Sequence, residues 1–180
     1  MIDPMLQMYL MANVFVVVVI LLFWRVFRRV ISISSSKHVD EKMGYQRVKR
    51  IRSVYWVIFF LFVFMVVVYS VLPDLYFLFF PLDLFHHPLI NGIGILIIKL
   101  AIVVIIVAQL HIDKELFKYS RNIESLAVME LVYYSERMLL VGMLFFFLGV
   151  AITITNIIGL VLTASSGIFY LKTDLHKHSS

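Results

Sequence analysis

Cysteine is missing from the chain, which removes disulfides, thiolate metal sites and thiol nucleophiles from consideration. Charge is scarce as well. Asp, Glu, Lys and Arg make up 15% of the 180 residues, against about a quarter in soluble domains. No Walker loop, Rossmann glycine pattern or G-x-S-x-G turn occurs, so nucleotide-fold and serine-hydrolase readings have no anchor. There is no internal repeat. Six scattered histidines fall short of the repeated clusters that a membrane di-iron site needs.

What the chain has instead is apolar bulk: 62% of its residues are hydrophobic, far above the soluble mix. A soluble domain of this composition would lack a polar surface, so the sequence reads as an integral membrane protein. The first apolar run has no basic residue before it and arginines after it. It is also about 20 residues long, which fits a retained span better than a cleaved signal.

Four apolar blocks stand out. Met5 to Trp24, Ser53 to Leu72 and Leu89 to Leu110 each match the length that crosses about 30 Å of hydrocarbon. The fourth, Met138 to Tyr170, would be about 50 Å long as one helix, too long for an ordinary span. It reads either as one tilted helix or as a hairpin turning at Thr153 to Asn156. The lysines favour the hairpin, because it brings Lys172 and Lys177 back to the side that carries the other basic residues. Gly149 and Gly159 flank the turn and would let the two arms approach closely.

The expected architecture is an all-α, polytopic transmembrane helical bundle of three spans plus a C-terminal hairpin, four to five membrane segments in one membrane domain. The spans fall at about 5–24, 53–72, 89–110, 138–152 and 157–171. Orientation follows from the connectors. Arg25 to Arg52 holds nine Lys/Arg against Asp40 and Glu41, a net of +7, whereas Pro73 to Pro88 holds only Asp74 and Asp83. The positive-inside rule then makes 25–52 and 111–137 cytoplasmic and puts the N-terminus outside. The overall charge of +5 argues for no nucleic acid, because the basic residues lie beside spans, where they meet lipid headgroups. Segment 111–137 spaces Ile112, Leu116, Ile123, Leu126 and Met129 like an amphipathic helix, predicting helices that lie along the membrane surface. The apolar loop PDLYFLFFPLDLF reads as lying in the opposite interface or capping the bundle.

Polar residues within the spans are few. Lys99, at the middle of the third span, costs about 2.5–3.5 kcal/mol on translocon scales and is a functional hypothesis by default. No span supplies a carboxylate for it. Asn13, Tyr69, Thr153, Asn156, a loop acid, another chain or an anionic ligand are the candidate partners, and Gly92 on the same face predicts close packing by a neighbour. His86 and His87 read as interfacial residues rather than a metal site, since adjacent histidines cannot both face one ion in regular geometry.

The stretch LVYYSERMLLVG joins the charged segment to the fourth block. With the two leading spans, basic connector, third span, amphipathic segment and hairpin, it resembles the integral membrane methyltransferases of the isoprenylcysteine carboxyl methyltransferase type. Their signature has the form G-x-Y-x-x-x-R-H-P-x-Y-x-G. Tyr133 and Arg137 keep the Tyr-to-Arg spacing and Gly142 lies close to the final glycine, while Met138, Leu139 and Val141 stand at the His, Pro and second Tyr. Where the family places an Arg and paired glutamates after the hairpin, this chain offers Asp174. The resemblance implies S-adenosylmethionine at the cytoplasmic face and a lipophilic acceptor reached from the bilayer. It further implies Arg137 and Glu136 in catalytic roles and Tyr133, Tyr134, Gly142 and Asp174 around the cofactor. Lys99, Asn13 and Asn156 are the intramembrane polar positions to place, and no metal is expected. The other reading is a non-catalytic membrane subunit or scaffold that kept the fold and holds other spans. A small transporter, hinted at by Asn91 to Gly94 and Lys99, ranks last.

Overall fold

The computed structural model describes residues 4–31, 43–82, 87–120 and 125–175, with side chains at 4–26, 52–82, 87–114, 134 and 136–172. Apolar runs of this length must satisfy every backbone N–H and C=O internally, and the α-helix does so within one segment. Among the described residues five α-helices result: α1 Pro4–Ile31, α2 Met43–Val71, α3 Pro88–Ser120, α4 Ser125–Ile154 and α5 Ile157–Leu175, with a short 3-10 helix, Pro73–Phe79, between α2 and α3. Among the described residues, four stretches are long and apolar enough to cross a membrane: Pro4–Val26, Arg52–Val71, Pro88–Lys114 and Glu136–Ile154. The apolar part of α5, Ile157–Lys172, is shorter. The protein is thus an all-α, multi-pass membrane bundle ending in a helical hairpin.

α4 is the centre. Its span is 61% buried, against 28%, 39% and 33% for α1, α2 and α3, because α2, α3 and α5 all pack on it. Its principal partner is α3. Ile98, Ala101, Ile105, Ala108 and Ile112 of α3 alternate at spacings of three and four, the left-handed knobs-into-holes repeat. They meet Leu140, Met143, Phe147, Val150 and Ile154 of α4 in one core. Contact is closest where Gly94 faces Gly149. A Cβ on Gly149 would stand 2.9 Å from both the Gly94 carbonyl oxygen and the Ile98 nitrogen. Gly149 therefore closes α4 onto α3, not onto α5 as the hairpin arms suggested. Gly159 does sit at the hairpin, near Ala151 and against the Asn156 side chain.

α1 covers the bundle with one stripe, Leu6, Leu10, Val14, Val17 and Leu21. α2 supplies aromatics: Phe62 stacks on Phe147 with ring centroids 5.0 Å apart, and Tyr55 and Phe59 meet Phe147 and Phe146. The surface helices expected over 111–137 do not form as separate elements. α3 runs on through Ser120 and α4 begins at Ser125, so 111–120 and 125–137 continue these two helices. Ile112 is buried in the α3–α4 core, while the side chains of Leu116, Ile123, Leu126 and Met129 lie outside the described residues.

The hairpin turn is made by two residues. Thr155 takes the left-handed conformation, φ 44°, which a β-branched residue adopts only when held there. Its N–H donates to the Ala151 carbonyl at 2.9 Å and its carbonyl accepts from the Leu82 N–H at 2.8 Å. Asn156 caps α5, its Oδ1 accepting from the Gly159 N–H at 2.6 Å. The 3-10 helix closes over this turn: Tyr76 is buried and donates to the Ile154 carbonyl, and the Ile157 N–H donates to Phe80 O at 3.2 Å. The apolar loop thus caps the hairpin end, while Phe77, Leu78 and Phe80 remain exposed. Asn156→Ala should cost about 1 kcal/mol through loss of the cap, and Asn156→Ser should retain most of it. Thermal unfolding in detergent reads the difference; equal midpoints for the two variants would mean the cap carries no weight.

Candidate functional site

At the end of the bundle opposite the hairpin, the helices enter or leave their apolar runs with a polar or charged residue. Arg52 opens the α2 span, Glu136 opens the α4 span, Trp24 and Arg25 close that of α1, and Asp113 closes that of α3. Antiparallel packing brings all of them to one level. Arg52 donates from Nη1 to Glu136 Oε1 at 3.1 Å, the arginine side chain 35% exposed and the glutamate 6%. Trp24 donates from Nε1 to Asp113 Oδ2, tying α1 to α3. The Arg25 guanidinium lies 5.1 Å from the centroid of Trp56, tying α1 to α2 as a cation–π pair. One turn past Arg52 in α2, Tyr55 is fully buried and donates to the Ser166 carbonyl at 3.0 Å, which fixes α5. The result is a collar in which each charge is bound to a neighbouring helix.

Glu136 is the only charged residue buried among the described residues. It turns toward α2, whereas Gly142 turns toward α3, where a Cβ would meet Ile105 Cγ1 at 2.9 Å and Val104 Cγ1 at 3.2 Å. These two positions therefore share no ligand-facing surface. Arg137 is half-buried and engaged, and Tyr134 is 69% exposed. The side chains of Tyr133 and Asp174 lie outside the described residues, and so does His86. Of the described positions that the resemblance sets around a cofactor, Gly142 is packed against α3 and Tyr134 is exposed. Among the described residues, no three His, Asp or Glu side chains converge into a metal-holding group.

The intramembrane polar residues separate. Asn13 donates to the Tyr9 carbonyl on its own helix at 2.7 Å. Asn156 is fully buried as the α5 cap, its Nδ2 also 3.8 Å from Met65 Sδ. Thr153 donates to the Gly149 carbonyl at 2.7 Å, and Tyr69 packs edge-on to Tyr76 with centroids 4.9 Å apart. None of the four meets Lys99, which is exposed on the outer face of α3. Gly92, on the same face of α3, has nothing within 4 Å. His87 is exposed at the start of α3, its Nδ1 accepting from the Leu89 N–H at 3.3 Å.

Arg52 is the residue that sequence reasoning left aside, having counted it only as a topology signal. Its signal was positional: an arginine at the first residue of one span and a glutamate at the first residue of a span running the same way must lie at one depth.

Fold and collar together define a multi-pass, all-α membrane protein whose buried charge is satisfied between helices. No family model, no curated protein and no solved structure matches this chain.

Proposed function

We propose that the chain is a non-catalytic membrane subunit, a compact helical scaffold that holds other membrane spans against its outer faces. The observation that carries this reading is the Arg52–Glu136 pair: the one buried carboxylate among the described residues is spent on joining α2 to α4. The collar likewise commits Trp24, Asp113, Arg25 and Trp56 to helix–helix contacts. In this reading the basic connector 25–52 faces the cytoplasm and anionic lipid headgroups, and the N-terminus lies outside.

The methyltransferase reading implied by the resemblance keeps one observation in its favour. Arg137, at the matching position beside the collar, is half-buried at the mouth of the α4 span. In that case S-adenosylmethionine would supply the methyl group to a lipophilic acceptor, and Arg137 would hold a carboxylate of one or the other.

One preparation separates the two. Extracted gently from its own membranes, the full chain should run as a complex of fixed stoichiometry; a clean monomer overturns the subunit reading. S-adenosylmethionine at millimolar concentration should leave the unfolding temperature unchanged. A ligand at a hundred times its Kd adds about 2.7 kcal/mol to stability, so a saturable upward shift would establish binding and favour the enzyme.

A further inference from the structure

Lys99 stands roughly 16 Å along α3 from Pro88 at 1.5 Å per residue, inside a 27-residue span, beyond the reach of a four-carbon stem to water at either end. It is exposed, and no hydrogen bond or ion pair involves it among the described residues. α3 packs on α1 and α4 with its other face, through Gly94, Ile98, Ala101, Ile105 and Ala108. The outer face carries a second regular stripe, Gly92, Leu96, Lys99 and Val103, spaced four, three and four residues apart and exposed throughout. That spacing is the seam a further helix packs on, and Gly92, open to 4 Å, leaves a notch for a large side chain.

We infer that this face of α3 receives a transmembrane helix of another protein that carries an Asp or Glu near its middle, paired with Lys99. Charge complementarity selects this occupant. A cation facing hydrocarbon at this depth is expensive unless a counter-charge meets it there, and lipid headgroups lie at the wrong level. A second copy cannot supply the partner. No Asp or Glu stands in Met5 to Trp24, Ser53 to Leu72, Leu89 to Leu110 or Met138 to Tyr170, and a two-fold seam would set Lys99 against its own copy. The inference rests on the subunit reading and names the class of partner.

The absence of cysteine makes the test direct. Single cysteines are introduced by Leu96→Cys or Val103→Cys on the seam, by Phe15→Cys on the outer face of α1 and by Val161→Cys on that of α5. Each is labelled with a maleimide photo-crosslinker in the membranes of the source cell, and the linked peptides are sequenced. The seam positions should link to one apolar segment with a central Asp or Glu. Lys99→Met should cut that yield by about tenfold or more while the chain still inserts, and Lys99→Arg should keep it within about twofold. With Lys99→Glu, exchanging the partner carboxylate for lysine should restore the link. A linked segment without a central acid, a seam link to a second copy, no seam link, or an unchanged yield in Lys99→Met would each overturn the inference. Links from α1 or α5 alone would overturn it and leave the subunit reading standing. No link from any position, with a monomeric chain, would overturn both.

Discussion

Gly149→Leu should destabilise the purified chain by about 3 kcal/mol or more, the upper part of the range for overpacked cores. The atoms a side chain would meet explain the size. The Cβ position lies 2.9 Å from the carbonyl oxygen of Gly94 and 2.9 Å from the nitrogen of Ile98, and 2.7 Å from Ile98 Cγ1. Two of the three are backbone, so no rotamer change relieves the clash and α3 must move away from α4. Separation there would loosen the core from Ile98 to Ala108. The same geometry reverses an ordinary expectation. Alanine exceeds glycine in helix propensity by about 1 kcal/mol, yet Gly149→Ala should still destabilise. Gly92→Ala, with nothing within 4 Å, should be neutral or stabilising in the isolated chain. Unfolding in mixed detergent micelles measures all three; a Gly149→Ala variant more stable than the parent would contradict the close approach of α3 and α4.

Arg52→Ala should cost about 2 kcal/mol and Glu136→Ala distinctly less. Breaking a buried ion pair leaves the surviving charge stranded, which costs roughly 3–5 kcal/mol when both partners are dry. Here they are not equally dry. Arg52 is 35% exposed and the value is reduced for solvent screening, but Glu136, at 6%, has no comparable access to water. With glutamate removed, the arginine extends its long stem toward the interface and hydrates. With arginine removed, the carboxylate remains at the head of α4 without its cation. The double variant Arg52→Ala/Glu136→Gln should recover about 1 kcal/mol relative to Arg52→Ala alone, the coupling expected of groups in contact. Equal losses from the two single variants would mean that Glu136 is hydrated in the folded chain.

Both experiments bear on function through the same question, namely whether the bundle is closed. A collar whose charges brace α1 against α2 and α3, and α2 against α4, leaves the outer faces as the places where the protein meets something else. Of those faces, the one on α3 carries a charge that the membrane itself disfavours.

The four apolar blocks, the helical class and the turn at Thr153 to Asn156 were legible in the sequence because each depends on a local property. Length against bilayer thickness sets the spans, and the break between Ile154 and Ile157 follows from polar residues in a run too long to be one crossing. Continuous apolar composition left open the facing of those spans. In water, polarity marks the outside of a helix; in lipid, a Leu, Ile or Val serves equally well against a neighbour or against hydrocarbon, so a uniformly apolar span carries no such mark. For that reason the close approach of Gly94 to α4 left no mark in the sequence, and Gly149 was assigned to α5 when it faces α3. For that reason too, the candidate partners of Lys99 ran from residues of the bundle to another chain or a ligand, and only the structure places its side chain on the outer face of α3. The sequence alone determined the helical class, the apolar blocks that can cross a membrane and the place where the last of them could turn. Only the tertiary structure decided which face of each helix is inside, because helix contacts in a bilayer are chosen by close fit and by a few charges, not by hydrophobicity.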